Sequence, residues 1–227
     1  MARVLIAVTS HDQFGSLGRK TGYWLGEVTH FWKEMIDAGV EVDFVSPKGG
    51  APPLDEKSHA PKDPANRAFS EHAPSVARLA ATLTPDAVDP ARYDAIYFAG
   101  GHGAMWDFPT DPGLTRLAEA IYAKGGVVSA VCHGSAALLN LKRSDGSPLV
   151  AGQAVTGFAN LEERLAGLMK HVPFALEDQL KQKGGAYKRA FLPFTSHVEV
   201  GDRLVTGQNP QSARATARAV LELLPKA

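Results

Sequence analysis

The feature that most constrains this chain is a strand that runs directly into a helix-compatible stretch at its only cysteine. Residues 126–131 are short and apolar and predict a buried strand, whereas residues 133–137 are small and compatible with a helix. With no linker between them, the backbone must bend sharply at Cys132, as in a nucleophile elbow. Gly134 would let the backbone pass close beneath the turn, and the first helix amides would lower the pKa of the thiol. The alternative is a buried cysteine that acts as a small hydrophobic residue.

The stretches on either side predict an α/β fold with a doubly wound, mainly parallel sheet and helices on both faces. Residues 3–8 and 40–47 have the continuous apolar character of buried parallel strands, and a helical stripe at 27–38 connects them. This β-α-β order requires a right-handed crossover. Further strands are predicted at 93–99, 126–131 and 154–158, a small antiparallel set at 187–190, 197–200 and 203–206, and helices at 114–123, 135–141, 162–169, 174–182 and 211–224.

One long segment interrupts this alternation. Residues 48–91 are rich in Pro, Asp, His and Lys, with helical spacing only around 75–83. Long irregular segments in compact domains often serve as lids or as walls of a site. We therefore expect a surface insertion or lid within one domain that spans residues 1–227.

Composition excludes several classes of partner. Lys and Arg together number 24, as do Asp and Glu, so no basic excess would attract nucleic acid or an anionic membrane. A lone cysteine excludes an intrachain disulfide, and no signal peptide or membrane span is evident, so we expect a cytoplasmic protein. The eight histidines are scattered, and no P-loop or dinucleotide fingerprint appears. We accordingly expect no metal and no cofactor.

Three predicted strands end in residues that suggest chemistry, and such ends meet at one rim of a parallel sheet. Gly101 and the neighbouring His102 lie in a glycine-rich turn whose amides, with that of His133, would form an oxyanion hole. Glu27 opens a helix after Trp24, where apolar neighbours would raise the pKa of its carboxyl. The simpler alternatives are a plain glycine-rich turn and an acidic residue that complements a helix dipole.

The sequence leaves the general base open between Glu27 and His133. His133 follows Cys132 directly, yet adjacent side chains at a sharp bend are expected to point apart. Glu162 and Glu163 are both candidates to orient His133, unless they simply open a solvated helix. A competing arrangement places the late pair at 197–199 with Cys132, although the Gly-Asp that follows favours an ordinary surface hairpin there.

Assembled in order, these motifs resemble the ThiJ/PfpI superfamily. More narrowly they resemble the branch that contains glutathione-independent glyoxalases (glyoxalase III) and heat-shock holding chaperones. The resemblance covers nearly the whole chain and rests on six motifs, at residues 22–27, 99–107, 130–134, 155–163, 172–178 and 204–210. It implies a flavodoxin-like fold and, often, a homodimer.

The same resemblance implies roles for particular residues. Cys132 would be the nucleophile in a strained elbow, with His133 and Glu163 completing a triad and Glu27 hydrogen-bonded to the thiol. The second carboxylate of the pair is thereby preferred to Glu162.

The activity expected from the resemblance is that of a glyoxalase III-type lyase. It would convert methylglyoxal or a related α-oxoaldehyde to a hydroxy acid such as D-lactate, with Trp24, Trp106 and Phe158 as walls of the substrate pocket. The alternatives are a holding chaperone whose insertion uncovers apolar surface on heating, a peroxide sensor that uses the same thiol, and a peptidase or amidase.

Overall fold

A six-stranded sheet forms the centre of the structure, a computed structural model that describes residues 2–225. The strands of the chain are β1 (Arg3–Ala7), β2 (Glu41–Val45), β3 (Ala95–Phe98), β4 (Val127–Val131), β5 (Ala154–Val155), β6 (Ala186–Tyr187), β7 (Val198–Val200) and β8 (Leu204–Gly207). The helices are α1 (Leu25–Asp37), α2 (Pro64–Glu71), α3 (Ala73–Ala80), α4 (Ala104–Asp107), α5 (Pro112–Ala123), α6 (Asn160–Leu165), α7 (Leu176–Gln182) and α8 (Ala213–Leu223).

The strand order confirms the predicted doubly wound sheet. Neighbours follow the order β2-β1-β3-β4-β8-β7, and only β7 is antiparallel to its neighbour. The order reverses between β1 and β3, and in open sheets of this kind ligands bind beyond the carboxyl ends at such a point. The carboxyl ends of β1, β3, β4 and β8 therefore define the rim where a site is expected.

Helices cover the sheet on both faces because its crossovers run in opposite directions. The connection through α1 leads from β1 to β2, whereas the connection through α5 leads from β3 to β4 on the other side of β1. Right-handed crossovers in opposite directions place their helices on opposite faces. α1 packs against α8, and its Phe31 ring stacks on Tyr97 of β3 with ring centroids 3.6 Å apart.

The insertion at 48–91 contains more regular structure than its composition predicts. α2 was not predicted; it begins after Asp63, whose side chain accepts hydrogen bonds from the first helix amides, with Pro64 at the first position. The insertion is fixed to α1 through Trp32, whose Nε1 donates to Ser75 Oγ at 2.8 Å and whose ring meets Phe69 edge-on at 4.9 Å. Buried aromatic and polar contacts thus hold this segment against the sheet domain.

Two predictions for the last third of the chain are wrong. Residues 187–190 do not join the antiparallel set, because β6 pairs in parallel with β5 as a separate two-stranded sheet. β8 was predicted as part of a surface hairpin, but all of its residues are buried. It pairs in parallel with β4 in the central sheet. Only the β7–β8 pairing is antiparallel, as predicted.

The helix predicted at 135–141 begins earlier and is tighter. Residues 132–140 form a 3₁₀ helix that starts at the cysteine itself. Within residues 2–225, no helix is both long enough and apolar enough to cross a bilayer.

Candidate active site

The turn after β4 has the geometry of a nucleophile elbow. Cys132 adopts φ +56°, in the left-handed region that costs a non-glycine residue about 1–2 kcal/mol. Gly134 is required two residues later, because a Cβ there would collide with the carbonyl group of Phe98 on β3. Pairing of β4 with both β3 and β8 holds the strand end in place, so the strained residue is fixed by its surroundings.

The side chains of Cys132 and His133 touch, contrary to the expectation that they point apart. Cys132 Sγ lies 3.3 Å from Nδ1 of His133, within hydrogen-bond distance for sulfur. The left-handed backbone at Cys132 explains the difference, since it turns the side chain away from the direction an extended strand would give. The other ring nitrogen of His133, Nε2, lies 2.7 Å from Glu163 Oε2.

Glu163 also contacts a second histidine. Its Oε1 lies 3.0 Å from His102 Nε2, and the rings of His102 and His133 are 4.0 Å apart. Burial by itself would raise the pKa of Glu163, but the charge of His133 and the hydrogen bonds from both rings outweigh it and lower the pKa well below its usual range. An ionised carboxylate only accepts hydrogen bonds, so both rings donate from Nε2; in the neutral form of His133, Nδ1 is then the acceptor that faces the thiol.

His102 is neutral at physiological pH. Burial and the neighbouring His133 lower its pKa to about 4, despite the opposing effect of Glu163. In a neutral imidazole only one nitrogen carries a proton, so Nε2 of His102 donates to Glu163 and Nδ1 is unprotonated.

Glu27 lies beneath the elbow in a very different environment. Its side chain is fully buried, its Oε2 accepts a hydrogen bond from the Gly100 amide at 2.6 Å, and its Oε1 has no hydrogen-bond partner within the described chain. Burial raises its pKa to about 8, although interactions with Cys132 and Gly100 act in the opposite direction. The carboxyl is therefore protonated at neutral pH, and the direction of shift expected for Glu27 agrees with the structure.

The expected low pKa of the thiol does not agree with the structure. Burial raises the pKa of Cys132 well above its ordinary value, and a negative charge on Glu27 would raise it further, whereas the His133 amide lowers it by less. Because Glu27 keeps its proton below about pH 8, the resting pair is a neutral carboxyl beside a neutral thiol. A thiolate has to be generated by proton transfer to a base.

A cavity of about 280 Å³ opens onto the thiol. Six of the residues expected at the site line it: Trp24, Gly101, His102, Cys132, His133 and Phe158. Trp106 does not line this cavity. Its ring stacks on His11 at 5.1 Å and meets Phe14 edge-on, because α4 turns it toward the N-terminal loop.

The turn at Gly101 supports an oxyanion site. Gly101 has φ +105°, and a Cβ there would collide with the carbonyl oxygen of Gly22, so only glycine fits. In the part of the chain that is described, its amide has no backbone acceptor, and it lies on the same cavity wall as His133. Free amides at this position suit an oxygen that gains negative charge.

The neighbouring Glu162 is fully occupied elsewhere. Its carboxylate accepts from the amide of Ala159, from the amide of Phe194 and from Asn209 Nδ2. These contacts tie the start of α6 to two loops, so Glu162 acts on the fold while Glu163 faces the histidines.

The competing pair at 197–199 lies outside the site. His197 Nε2 is 3.1 Å from Glu199 Oε1, and Glu199 also contacts Lys188, while none of these three residues lines the cavity. Residues so placed do not reach Cys132 through the cavity.

The fold gathers histidines that are scattered in sequence. Ligand atoms of His102, His133 and Glu163 lie within 4.8 Å of one another, a set able to hold a metal ion by distance. Both Nε2 atoms and both carboxylate oxygens are already engaged in hydrogen bonds with each other. The expectation that no metal is used stays a prediction.

Several cavity residues were not found from the sequence. The cavity wall also contains Arg19 from the polar loop after β1, Asp55 and Lys57 from the insertion, and Phe194. No spacing in the sequence links these loops to Cys132, because their proximity arises only from contacts between distant parts of the fold.

A buried Cys-His-Glu arrangement at an elbow of a doubly wound sheet defines the class of α/β proteins built on a nucleophile elbow. Residues 21–223 match the DJ-1/PfpI family, and the chain belongs to that family. This confirms the resemblance inferred from the motifs.

Full-length relatives support the assignment. The chain is 36% identical to the "Glutathione-independent glyoxalase HSP31" of Saccharomyces cerevisiae, covering 98% of each chain. It is 34% identical to "Glyoxalase 3" of Candida albicans, covering 97% of this chain and 98% of that one.

Solved structures agree with these relatives. The Francisella tularensis Rapid Encystment Protein 24 kDa is 41% identical over the whole of both chains, with a TM-score of 0.94. Glyoxalase III from Candida albicans is 31% identical, with a TM-score of 0.90, over 99% of this chain and 98% of that one.

Proposed function

We propose that this chain is a glutathione-independent glyoxalase that converts methylglyoxal, or a related α-oxoaldehyde, to the corresponding 2-hydroxy acid. The observation that carries the proposal is the 3.3 Å contact between Cys132 Sγ and His133 Nδ1 on the wall of a cavity. Two relatives that match nearly the whole chain are named glyoxalases, which supports the same activity. Cys132, His133, Glu163 and Glu27 are the proposed catalytic residues.

The first proposed step is addition of sulfur to the aldehyde carbon. Nδ1 of His133 accepts the thiol proton while Sγ attacks, and the proton then passes to the aldehyde oxygen to give a hemithioacetal. Amides of Gly101 and His133 would stabilise the charge on that oxygen. Glu163 keeps His133 in the tautomer whose Nδ1 is free.

The second proposed step moves a proton between carbons. His133, again neutral, removes the proton from C1, and an enediol forms and is protonated at C2. The product is a thioester, which water hydrolyses to free the thiol and release the hydroxy acid. Protonated Glu27 donates toward Sγ whenever the carbon–sulfur bond forms or breaks, which stabilises negative charge on sulfur. The overall reaction consumes one water and needs no external thiol.

D-lactate production from methylglyoxal by the purified protein, without glutathione, tests the proposal. Cys132→Ala should lower kcat/KM by at least about a thousandfold, because no other thiol exists in the chain. Glu27→Gln should nearly abolish activity. Glu199→Gln is the matched control and should leave it unchanged, since Glu199 lies outside the cavity. Lactate formation that survives Cys132→Ala contradicts the mechanism.

The assembly and location are part of the same proposal. We propose a homodimer, supported by an exposed apolar segment in which Phe191 is 94% and Leu192 59% accessible and which a second copy would cover. A sedimentation experiment that finds only monomer at micromolar concentration contradicts it. A reducing compartment such as the cytoplasm would keep the single thiol reactive.

A further inference from the structure

We propose that Arg19 makes the cavity selective for α-oxoaldehydes that carry a negatively charged group, such as a carboxylate, at the end remote from the dicarbonyl. This inference rests on the proposed glyoxalase function and names a substrate class for that same site. It concerns a positive group on the cavity wall that the proposed chemistry at Cys132 does not use.

The cavity is larger than a three-carbon substrate requires. Its volume of about 280 Å³ corresponds to roughly nine water molecules at about 30 Å³ each, close to the lower end for pockets that hold much larger ligands. Besides the thiol and the two histidines, the lining includes Arg19 and Lys57. A longer substrate would fill space that methylglyoxal leaves to water.

The guanidinium of Arg19 is held in the wall without a counterion. Its Nε is buried and has no hydrogen-bond partner, and within residues 2–225 the side chain forms no ion pair. Several other arginines form ion pairs, among them Arg3 with Asp43 and Arg218 with Glu34. A partly buried guanidinium that lacks an acceptor is unfavourable, and a ligand carboxylate would remove that penalty.

An aromatic stack fixes the position of this charge relative to the site. The guanidinium lies over the Phe14 ring at 4.4 Å, and Phe14 in turn packs on His102 at 4.6 Å. Phe14 is fully buried, so it cannot swing aside. The Phe14 ring therefore holds the guanidinium in place relative to His102, and Arg19 lines the same cavity as His102 and His133.

Among residues 2–225, the acidic residue on this wall forms no ion pair with Arg19, and it is outnumbered there by two basic residues. Asp55 is buried, and its two oxygens already accept hydrogen bonds from Thr21 Oγ1 at 3.0 Å and from the Lys57 amide at 3.1 Å. The Lys57 ammonium adds a second positive charge on the exposed side of the wall. The unmatched charge of this wall is positive, which favours an anionic substituent.

The reaction itself does not change for such a substrate. An acidic α-oxoaldehyde takes up one water and is isomerised to a 2-hydroxy acid, so its product is a 2-hydroxydicarboxylate and no oxidant or further reactant is needed. The remote carboxylate takes no part in the reaction, and the Arg19 guanidinium would bind it through charge-assisted hydrogen bonds. Selectivity would appear in binding and orientation rather than in the chemistry at sulfur.

The test compares 4,5-dioxopentanoate with its neutral methyl ester as substrates of the full-length protein. We expect the wild-type kcat/KM to favour the acid, and Arg19→Gln to lower the acid-to-ester ratio about ten- to hundredfold. Arg19→Lys should retain part of the preference. Arg116→Gln, which removes a surface guanidinium paired with Asp86, is the matched control and should leave the ratio unchanged.

The outcomes separate this inference from the proposed function. A wild-type ratio near one, or a ratio that Arg19→Gln does not change, overturns the role of Arg19 even if methylglyoxal is converted. If no aldehyde is converted, the proposed activity fails, and calorimetric binding of 2-hydroxyglutarate then decides the anion site. Binding that is lost in Arg19→Gln and kept in Arg116→Gln supports the site, and no binding to the wild type overturns it.

Discussion

Two glutamates flank the same cysteine-histidine pair, and the protein gives them opposite properties. Glu27 lies below the elbow, fully buried, with one amide donor and one oxygen that has no hydrogen-bond partner among residues 2–225. Glu163 lies on the far side of His133, also buried, with an imidazole on each oxygen. Burial raises the pKa of Glu27 to about 8, whereas two histidines lower that of Glu163 well below its usual range.

This difference shows that hydrogen-bond partners, rather than burial itself, decide whether a carboxyl keeps its proton. Both side chains leave water on folding, but Glu27 gains a single amide donor, whereas Glu163 gains an imidazole donor on each oxygen. Two titratable groups whose pKa values are driven apart are suited to separate tasks in acid–base chemistry. In the proposed mechanism, Glu163 orients a base and Glu27 supplies a proton to sulfur.

The largest expected effect comes from Glu163→Gln, which removes the carboxylate charge that His102 and His133 contact. A Gln amide can donate to His133 Nε2, so the ring would no longer be held with Nδ1 free for the thiol. We expect kcat/KM for lactate formation to fall by about a hundred- to ten-thousandfold. Glu199→Gln is the same chemical change outside the cavity and serves as the control. A loss below tenfold would show that Glu163 does not orient His133.

A second prediction concerns the free energy of unfolding, which the Glu27 and Glu163 substitutions should change in opposite directions. Glu27 has a folded pKa of about 8 against 4.5 for the free group, so folding is progressively penalised as pH rises from 4.5 to 8. Glu27→Gln should therefore stabilise the protein at pH 7, by on the order of 3 kcal/mol, and have little effect below pH 4.5. Urea unfolding at several pH values measures this.

Glu163→Gln should behave in the opposite way in the same experiment. A lowered folded pKa contributes stability above the unfolded value and loses it as pH falls toward the folded value. The variant should therefore be less stable than wild type at pH 7, and the difference should shrink in acid. If Glu27→Gln is instead the less stable variant at pH 7, the isolated oxygen of Glu27 has a partner that the geometry does not show.

The sequence was sufficient for the parts of the site that depend on neighbouring residues. An apolar strand that continues into small residues without a linker requires a sharp turn, and the lone cysteine stands at that turn. The structure has Cys132 at φ +56° with Gly134 beneath it. The sheet was likewise predictable, since continuous β-branched runs alternate with amphipathic helices.

The rest depended on contacts between distant parts of the chain. His102 and Glu163 are 61 positions apart, and Arg19 reaches the cavity only because the loop after β1 folds over it. Glu162 and Glu163 are equivalent in sequence, and only the direction in which α6 faces distinguishes them. The thiol pKa was misjudged because helix amides are visible in a sequence, whereas the degree of burial is not.

The smallest expected effect is the pH dependence of kcat/KM, which tests whether Glu27 must be protonated for the reaction. If protonated Glu27 stabilises the sulfur anion, kcat/KM should decline as pH rises through about 8 and be about tenfold lower at pH 9 than at pH 7. The apparent value belongs to the Glu27–Cys132 pair, because the two side chains interact: a negative charge on Glu27 raises the pKa of the thiol, whereas the interaction with Cys132 lowers that of Glu27. Glu199→Gln should show the same decline, and the residual activity of Glu27→Gln should not. If Glu27 ionisation had no part in the reaction and thiol ionisation limited it, the wild-type rate would rise steadily to pH 9. Direct lactate assay with enzyme-free blanks at each pH separates these two profiles.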